Sequence, residues 1–305
     1  MSVSNFNRKI KYWDKTRELY TSWVANSELR KYFSEKITYD ELSLWWITKL
    51  CNKDNSVYNK WYYQLKSYLF ENKHVNYSQV LFIPIFFLIL FKNFSRDILF
   101  LIFIKIFSHT RFKKINRPNC FYSIDGALVK PNKICYDKIY CTTPLKSEKN
   151  KNFYLLNIDN GTEFFLNFFS YKKKFRSMGV PHIISNEFIS LPEIINIHLK
   201  TLLGFFKLIF YLNSKKNIFK IKNKNCRNIL EPLLLSSFSG DIQVSLINAL
   251  SIKNFLNKEK VNCFISYIGF NPQSRSVYYF IRKINKFTKI ISYQYSYCNK
   301  NVLPF

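Results

Sequence analysis

Glycine is scarce in this chain of 305 residues: there are six, and the closest pair, Gly161 and Gly179, stand 18 positions apart. A Walker loop and a GxGxxG dinucleotide fingerprint both need glycines a few positions from one another, because only there can the backbone close on a phosphate. P-loop kinases, P-loop ATPases and ordinary NAD enzymes are therefore not expected. Carboxylates are also few, 19 Asp+Glu against 47 Lys+Arg, a net charge of +28. The seven cysteines are too sparse for a disulfide scaffold. No CxxC occurs, and Cys135 and Cys141 lie too far apart for paired zinc ligands. Reduced thiols in a cytosolic protein are the expectation. His74, His109, His182 and His198 show no HExxH or other ligand spacing. Neither a metal nor a cofactor is expected. The first 15 residues hold no apolar core, so no signal peptide is read there.

What is present points to a folded protein. Apolar residues make up 48% of the chain and aromatic ones 19%, enough for a sizeable core and unlike a disordered segment. The length suits one large domain or two ordinary ones. A charge of +28 seeks anions: a membrane surface, nucleic acid or phosphorylated substrates. Codon bias of an AT-rich genome explains part of the lysine excess but not the shortage of acids. Basic clusters fall at 111–117, 172–176 and 215–227. No RNP-type motif, helix-turn-helix signature or zinc-finger spacing accompanies them, so nucleic acid is not the expected partner.

Two apolar runs, Val80 to Phe91 and Ile98 to Phe107, are each shorter than the ~20 residues needed to cross a bilayer. A polar stretch, Lys92 to Asp97, separates them. They suit either a hairpin dipped into the cytoplasmic leaflet or a pair of buried core helices.

Residues 7–72 read as helical. Thr38 and Glu41 form a capping-box pattern, and Leu42, Trp45, Trp46 and Leu50 then share one helical face. Trp61, Leu65, Tyr68 and Leu69 repeat that spacing. From 111 to 151 prolines break the pattern, with short strands at Phe121–Ile124 and Lys138–Cys141. Beyond it, strands and helices alternate. Strands are expected at Phe153–Ile158, His182–Ile184, Val261–Tyr267 and Thr288–Tyr293. Helices are expected at Glu163–Met178, from Pro192 to about Leu212, and at Arg227–Ser237, Asp241–Asn257 and Arg275–Ile284. That rhythm implies parallel pairing. An open parallel sheet carries its ligand site beyond the carboxyl ends of its strands, here the loops after Tyr267 and Tyr293.

Three segments carry a resemblance: Leu42-Ser43-Leu44-Trp45-Trp46-Ile47-Thr48 with Lys53-Asp54; Leu235-Ser236-Ser237-Phe238-Ser239-Gly240; and Lys289-Ile290-Ile291-Ser292-Tyr293-Gln294-Tyr295-Ser296. In order and rough spacing they resemble a family of bacterial surface-carbohydrate biosynthesis proteins, of O-antigen or capsule type, regarded as glycosyltransferases with two Rossmann domains. Departures are the Phe270–Ser276 stretch, where that family has glutamates, and Tyr295, where it has histidine. The family is also longer, so the chain is expected to be a shortened relative. The resemblance implies an α/β fold: a helical N-terminal region followed by Rossmann-like α/β layers in an incomplete GT-B-like architecture. Its parts would be a helical, membrane-associating region at 1–110, an acceptor-type α/β domain at 111–239, and the start of a donor-type domain at 240–305.

The function so implied is transfer of a sugar from a nucleotide sugar to a lipid-linked glycan acceptor in surface-polysaccharide (lipopolysaccharide) biosynthesis. The expected location is cytoplasmic, peripheral at the inner face of the cell membrane. Partners would be those two substrates, an anionic membrane surface and a second chain completing the fold. Inverting transfer needs a general base and positive charge or amides for the leaving phosphate. Candidate bases are Asp159, which ends a strand before a turn, and His182, with Glu163 and Asp241 behind them. Asn271, Gln273, Arg275, Gln294, Tyr295 and Ser296 would hold substrate from the two strand-end loops. A non-catalytic relative and a basic membrane-surface binding protein stay open as alternatives.

Overall fold

The computed structural model describes residues 3–51, 60–71, 82–107, 120–125, 129–130, 136–137, 152–157, 168–169, 173, 182–215, 217–258, 262–267 and 272–293. Eight helices carry most of these residues: α1 Val3–Asn26, α2 Glu28–Lys36, α3 Lys60–Glu71, α4 Phe82–Phe107, α5 Leu191–Ser214, α6 Arg227–Ser236, α7 Asp241–Lys258 and α8 Pro272–Ile284. Caps place two of them. The Ser27 side chain accepts from the Leu29 backbone N–H to start α2. Ser190 and Glu193 form a reciprocal capping box at α5, with Pro192 in its first turn.

The core is helix against helix. Trp45, fully buried, sets its ring edge-on against Trp23 and Phe33, at centroid distances of 6.3 and 5.5 Å. Phe238 joins Phe33 to Phe205 of α5. Around them close Leu65 of α3, Leu230 of α6, Leu246 of α7 and Phe280 of α8. Removing a ring such as Trp45 from that centre costs about 3–5 kcal/mol.

Strands are short. Three two-stranded hairpins are β1 Thr38–Tyr39 with β2 Leu42–Ser43, β4 Val129–Lys130 with β5 Tyr136–Asp137, and β8 Lys220–Ile221 with β9 Lys224–Asn225. A five-stranded sheet joins β3 Cys120–Asp125, β6 Asn152–Asn157, β7 His182–Ile184, β10 Cys263–Tyr267 and β11 Lys289–Tyr293. Its order is β11-β10-β3-β6-β7 and all of its pairings are parallel.

The expected fold class is overturned. Rossmann-like α/β layers in an incomplete GT-B-like architecture would put successive sheets at the centre of two units. The described chain is instead mainly helical, and its large buried side chains come chiefly from helices and the turns between them. Strands from 111–239 and from 240–305 enter a single sheet rather than one each. Among the described side chains, the buried apolar ones lie chiefly on the helices and on the turns between them, so helix packing makes that core.

Two local expectations are corrected as well. The segment from Thr38 to Leu50 is not an α-helix. Asp40 and Glu41 take positive φ, 50° and 68°, and turn β1 into β2. The 3-10 turns Leu44–Ile47 and Lys49–Cys51 follow. Leu42, Leu44, Trp45, Ile47 and Leu50 are all buried, a spread of positions wider than one helical stripe. The two apolar runs before 110 are neither a hairpin nor a helix pair but one helix, α4. Pro84 falls in its first turn, where no helical hydrogen bond is lost. Asp97, from the polar stretch, turns inward and is buried.

One helix among the described residues, α5, is long and apolar enough to cross a membrane; α6 and α7 would qualify only as a pair bent by 43°.

Candidate functional site

The parallel register brings strand ends together. Tyr267 of β10 pairs with Tyr293 of β11, Ser266 with Ser123 of β3, and Asp125 of β3 with Asn157 of β6. The carboxyl ends of β3, β6, β10 and β11 therefore share one edge. The chain leaves β3 for β6 and β7 on one side, then returns to lay β10 and β11 on the other. The reversal falls between β3 and β10, where an open parallel sheet has its crevice.

Against this edge the sequence candidates sort themselves. Asp159, Glu163, Asn271, Gln294, Tyr295 and Ser296 lie outside the described residues. By chain position Asp159 follows the end of β6, Asn271 the end of β10, and Gln294 to Ser296 the end of β11. Gln273 is in the first turn of α8. His182 opens β7 at its amino end, two positions back from the edge. Asp125, which sequence reasoning passed over, ends β3 beside the reversal. Its signal was an Asp-Gly step closing the apolar run Phe121–Ile124.

Arg275 has a structural partner. Its Nη1 donates to the Trp46 backbone carbonyl at 3.0 Å, tying α8 to the first 3-10 turn. Further along the same face, Tyr279 Oη and Lys283 Nζ donate to the Asp40 carbonyl at 3.1 and 2.9 Å. The i, i+4, i+8 spacing explains this: one face of α8 grips the β1–β2 hairpin.

Asp241 also proves engaged. Its Oδ2 stands 3.2 Å from Lys49 Nζ. That ammonium donates to Ser236 Oγ at 3.1 Å, and the Lys49 backbone N–H donates to Ser237 Oγ at 2.8 Å. Lys49, which follows the first segment of the resemblance, thus meets Ser236 and Ser237 of the second and Asp241 just beyond it, in one polar seam. Sequence reading missed the seam because its partners lie nearly two hundred positions apart. Asn93 of α4 donates to the Ser239 carbonyl beside it.

No group of three or more metal-ligating side chains comes together among the described residues. Cys51, Cys226 and Cys263 are buried and in no disulfide. Burial pushes the Cys226 thiol up to about 12, so it is protonated and poorly nucleophilic. Comparison with known proteins finds no matching family, no similar curated protein and no similar solved structure.

Proposed function

We propose that the chain transfers a sugar from a nucleotide sugar to a lipid-linked acceptor in surface-glycan assembly. The observation that carries the reading is the shared carboxyl edge. Four segments with polar or acidic candidates leave neighbouring strand ends there: Asp125, Asp159, Asn271 with Gln273, and Gln294 to Ser296. The bonds from Lys49, next to the first resemblance segment, to Ser236 and Ser237 of the second support it. A net charge of +28 favours an anionic donor. Asp159 would accept the acceptor hydroxyl proton, and the amides and hydroxyls at the ends of β10 and β11 would hold the sugar. Arg275 would meet a phosphate only through the donors that its bond to the Trp46 carbonyl leaves.

The test is transfer or hydrolysis of a panel of nucleotide sugars by the purified chain, with and without a polyprenyl-phosphate-linked acceptor. Turnover is expected. Asp159→Asn should lower it about 100-fold, in the range of a lost general base. Gln294→Ala should raise KM, and His182→Ala should change little. Absence of turnover with every donor would leave the non-catalytic relative as the better reading.

A further inference from the structure

α4 and α5 lie antiparallel. Phe86 stacks on Phe205 with centroids 3.8 Å apart, and nearer the middle of α4 Asp97 meets His198 at 3.1 Å. Lys105, near its end, reaches the Glu187 carbonyl just before α5. The inner faces of both helices enter the core. Their outer faces are largely exposed and apolar, with Phe169 packed on Phe103 and Phe107 near the end of α4. On α5, Ile195, Leu199, Leu203, Phe206 and Phe210 recur every three or four residues and are all exposed. On α4, Ile85 and Leu88 near the start and Leu99, Ile102 and Ile106 near the end are exposed too, with Lys92 between the two groups. Leu88 is 70% exposed and Phe210 75%, so these are whole side chains in the open rather than edges of core residues. Contiguous apolar surface on two neighbouring helices marks an interaction site.

Charge selects the occupant. Lys92 and Lys105 on α4, and Lys200 and Lys207 on α5, are exposed. The two helices have one carboxylate each. Asp97 is buried, and Glu193 is held by Ser190 and Asn254. The two helices therefore present an apolar face with cationic groups and no open acid of their own, Asp40 of the β1–β2 turn being the carboxylate that feels the charge of Lys200. Lys200 lies over the Tyr39 ring at 4.8 Å, its ammonium at the margin of the stripe.

We infer that this face is a docking surface for a lipid bilayer with anionic headgroups, with α4 and α5 lying in the interfacial plane. Neither helix spans. The inner side of α5, including Ile197, Phe205 and Leu208, is built into the core, and α4 carries Lys92, Arg96, Asp97 and Lys105 along its length. The apolar stripes enter the acyl boundary while the lysines meet lipid phosphates. The inference stands apart from the transfer reading, since it uses none of the sheet-edge residues.

Co-flotation of the full chain with phosphatidylcholine vesicles, with and without phosphatidylglycerol, tests it. Binding is expected to the anionic vesicles and to be weak on the neutral ones. Leu88→Gln with Leu203→Gln should lower partitioning about tenfold or more, as should Phe210→Gln, since each removes a buried apolar side chain from the lipid. Lys200→Gln and Lys207→Gln should each cost about fivefold on anionic vesicles and little on neutral ones. Melting curves check that the exposed substitutions leave the fold intact. Unchanged flotation in the stripe variants overturns the proposal. So does equal binding to both vesicle types. Self-association without vesicle binding, abolished by the same substitutions, also overturns it and assigns the face to a second copy.

Discussion

Asp97 Oδ2 and His198 Nε2 stand 3.1 Å apart between α4 and α5, both side chains buried, and Arg96 holds the other carboxylate oxygen through two hydrogen bonds of 3.2 and 3.1 Å. This bond fixes the register of the helix pair beneath the apolar face. Among the described residues His198 Nδ1 finds no hydrogen-bond partner, so Asp97 is what satisfies the ring. Removing Asp97 leaves the buried ring without that partner, at a cost of about 1–3 kcal/mol, whereas removing His198 leaves Asp97 still held by Arg96. Asp97→Ala should therefore lose about 1–3 kcal/mol in urea unfolding and His198→Ala less. The double variant should fall short of the sum by about 1–3 kcal/mol. Strict additivity would mean that the two side chains do not support each other.

Gly240 bounds the contact between α4 and the turn before α7. A Cβ placed there would stand 2.7 Å from Asn93 Nδ2, so the amide must give way. That amide donates to the Ser239 carbonyl. Gly240→Ala should therefore cost about 1 kcal/mol, one hydrogen bond's net worth. In an Asn93→Ala background the same substitution should cost little, since the clash is gone. Equal losses in both backgrounds would place the strain elsewhere.

How far the sequence foretold this structure depends on the range of the interaction. Local patterns read well: β3, β6, β10 and β11 start and end within two residues of expectation, as does α5. Prolines, turn residues and apolar periodicity act over a few positions, and they set these elements. The stretch from Thr38 to Leu50 failed because the capping-box pair and the turn share the same residues. Tertiary contacts from Tyr279, Lys253 and Lys283, more than two hundred positions away, hold Asp40 and Glu41 in the turn. The Lys92–Asp97 stretch failed differently. Polar residues read as an interruption, yet Asn93 and Asp97 found Ser239 and His198, and α4 runs through. At the site, the pairing of β10 with β11 followed from the alternation of elements. The capture of Arg275 by Trp46 did not, because no local signal announces a partner at that distance.

Acid should loosen the hairpin. A hydrogen bond from Lys253, with further help from the charges of Lys283 and Lys200, holds the Asp40 carboxyl below the usual carboxylate range. A carboxylate with a lowered folded pKa contributes stability above its unfolded value near ~3.9 and loses it as pH falls through the folded value. The side chain is partly open to solvent, so the effect is modest, under about 1 kcal/mol. Asp40→Asn, which tolerates the positive φ, should shrink the drop in urea midpoint between pH 5 and pH 3. An identical drop in the variant would exclude Asp40 as its source.

Glu41 is the costlier half of the same turn. Its φ is 68°, and a side chain there pays about 1–2 kcal/mol relative to right-handed backbone. Its ion pair with Lys283, 3.1 Å long, returns little because the Glu41 side chain is largely exposed. Two-residue hairpins of this hand favour glycine at that second turn position. Glu41→Gly should therefore raise stability, by about 1 kcal/mol at most once the greater freedom of the unfolded glycine is subtracted. Asn223, at φ 66° in the β8–β9 turn, is the control. Asparagine already tolerates left-handed backbone, so Asn223→Gly should gain less. Thermal melts of both variants decide the matter. A larger gain at Asn223 than at Glu41 would show that the Lys283 pair matters more than the backbone.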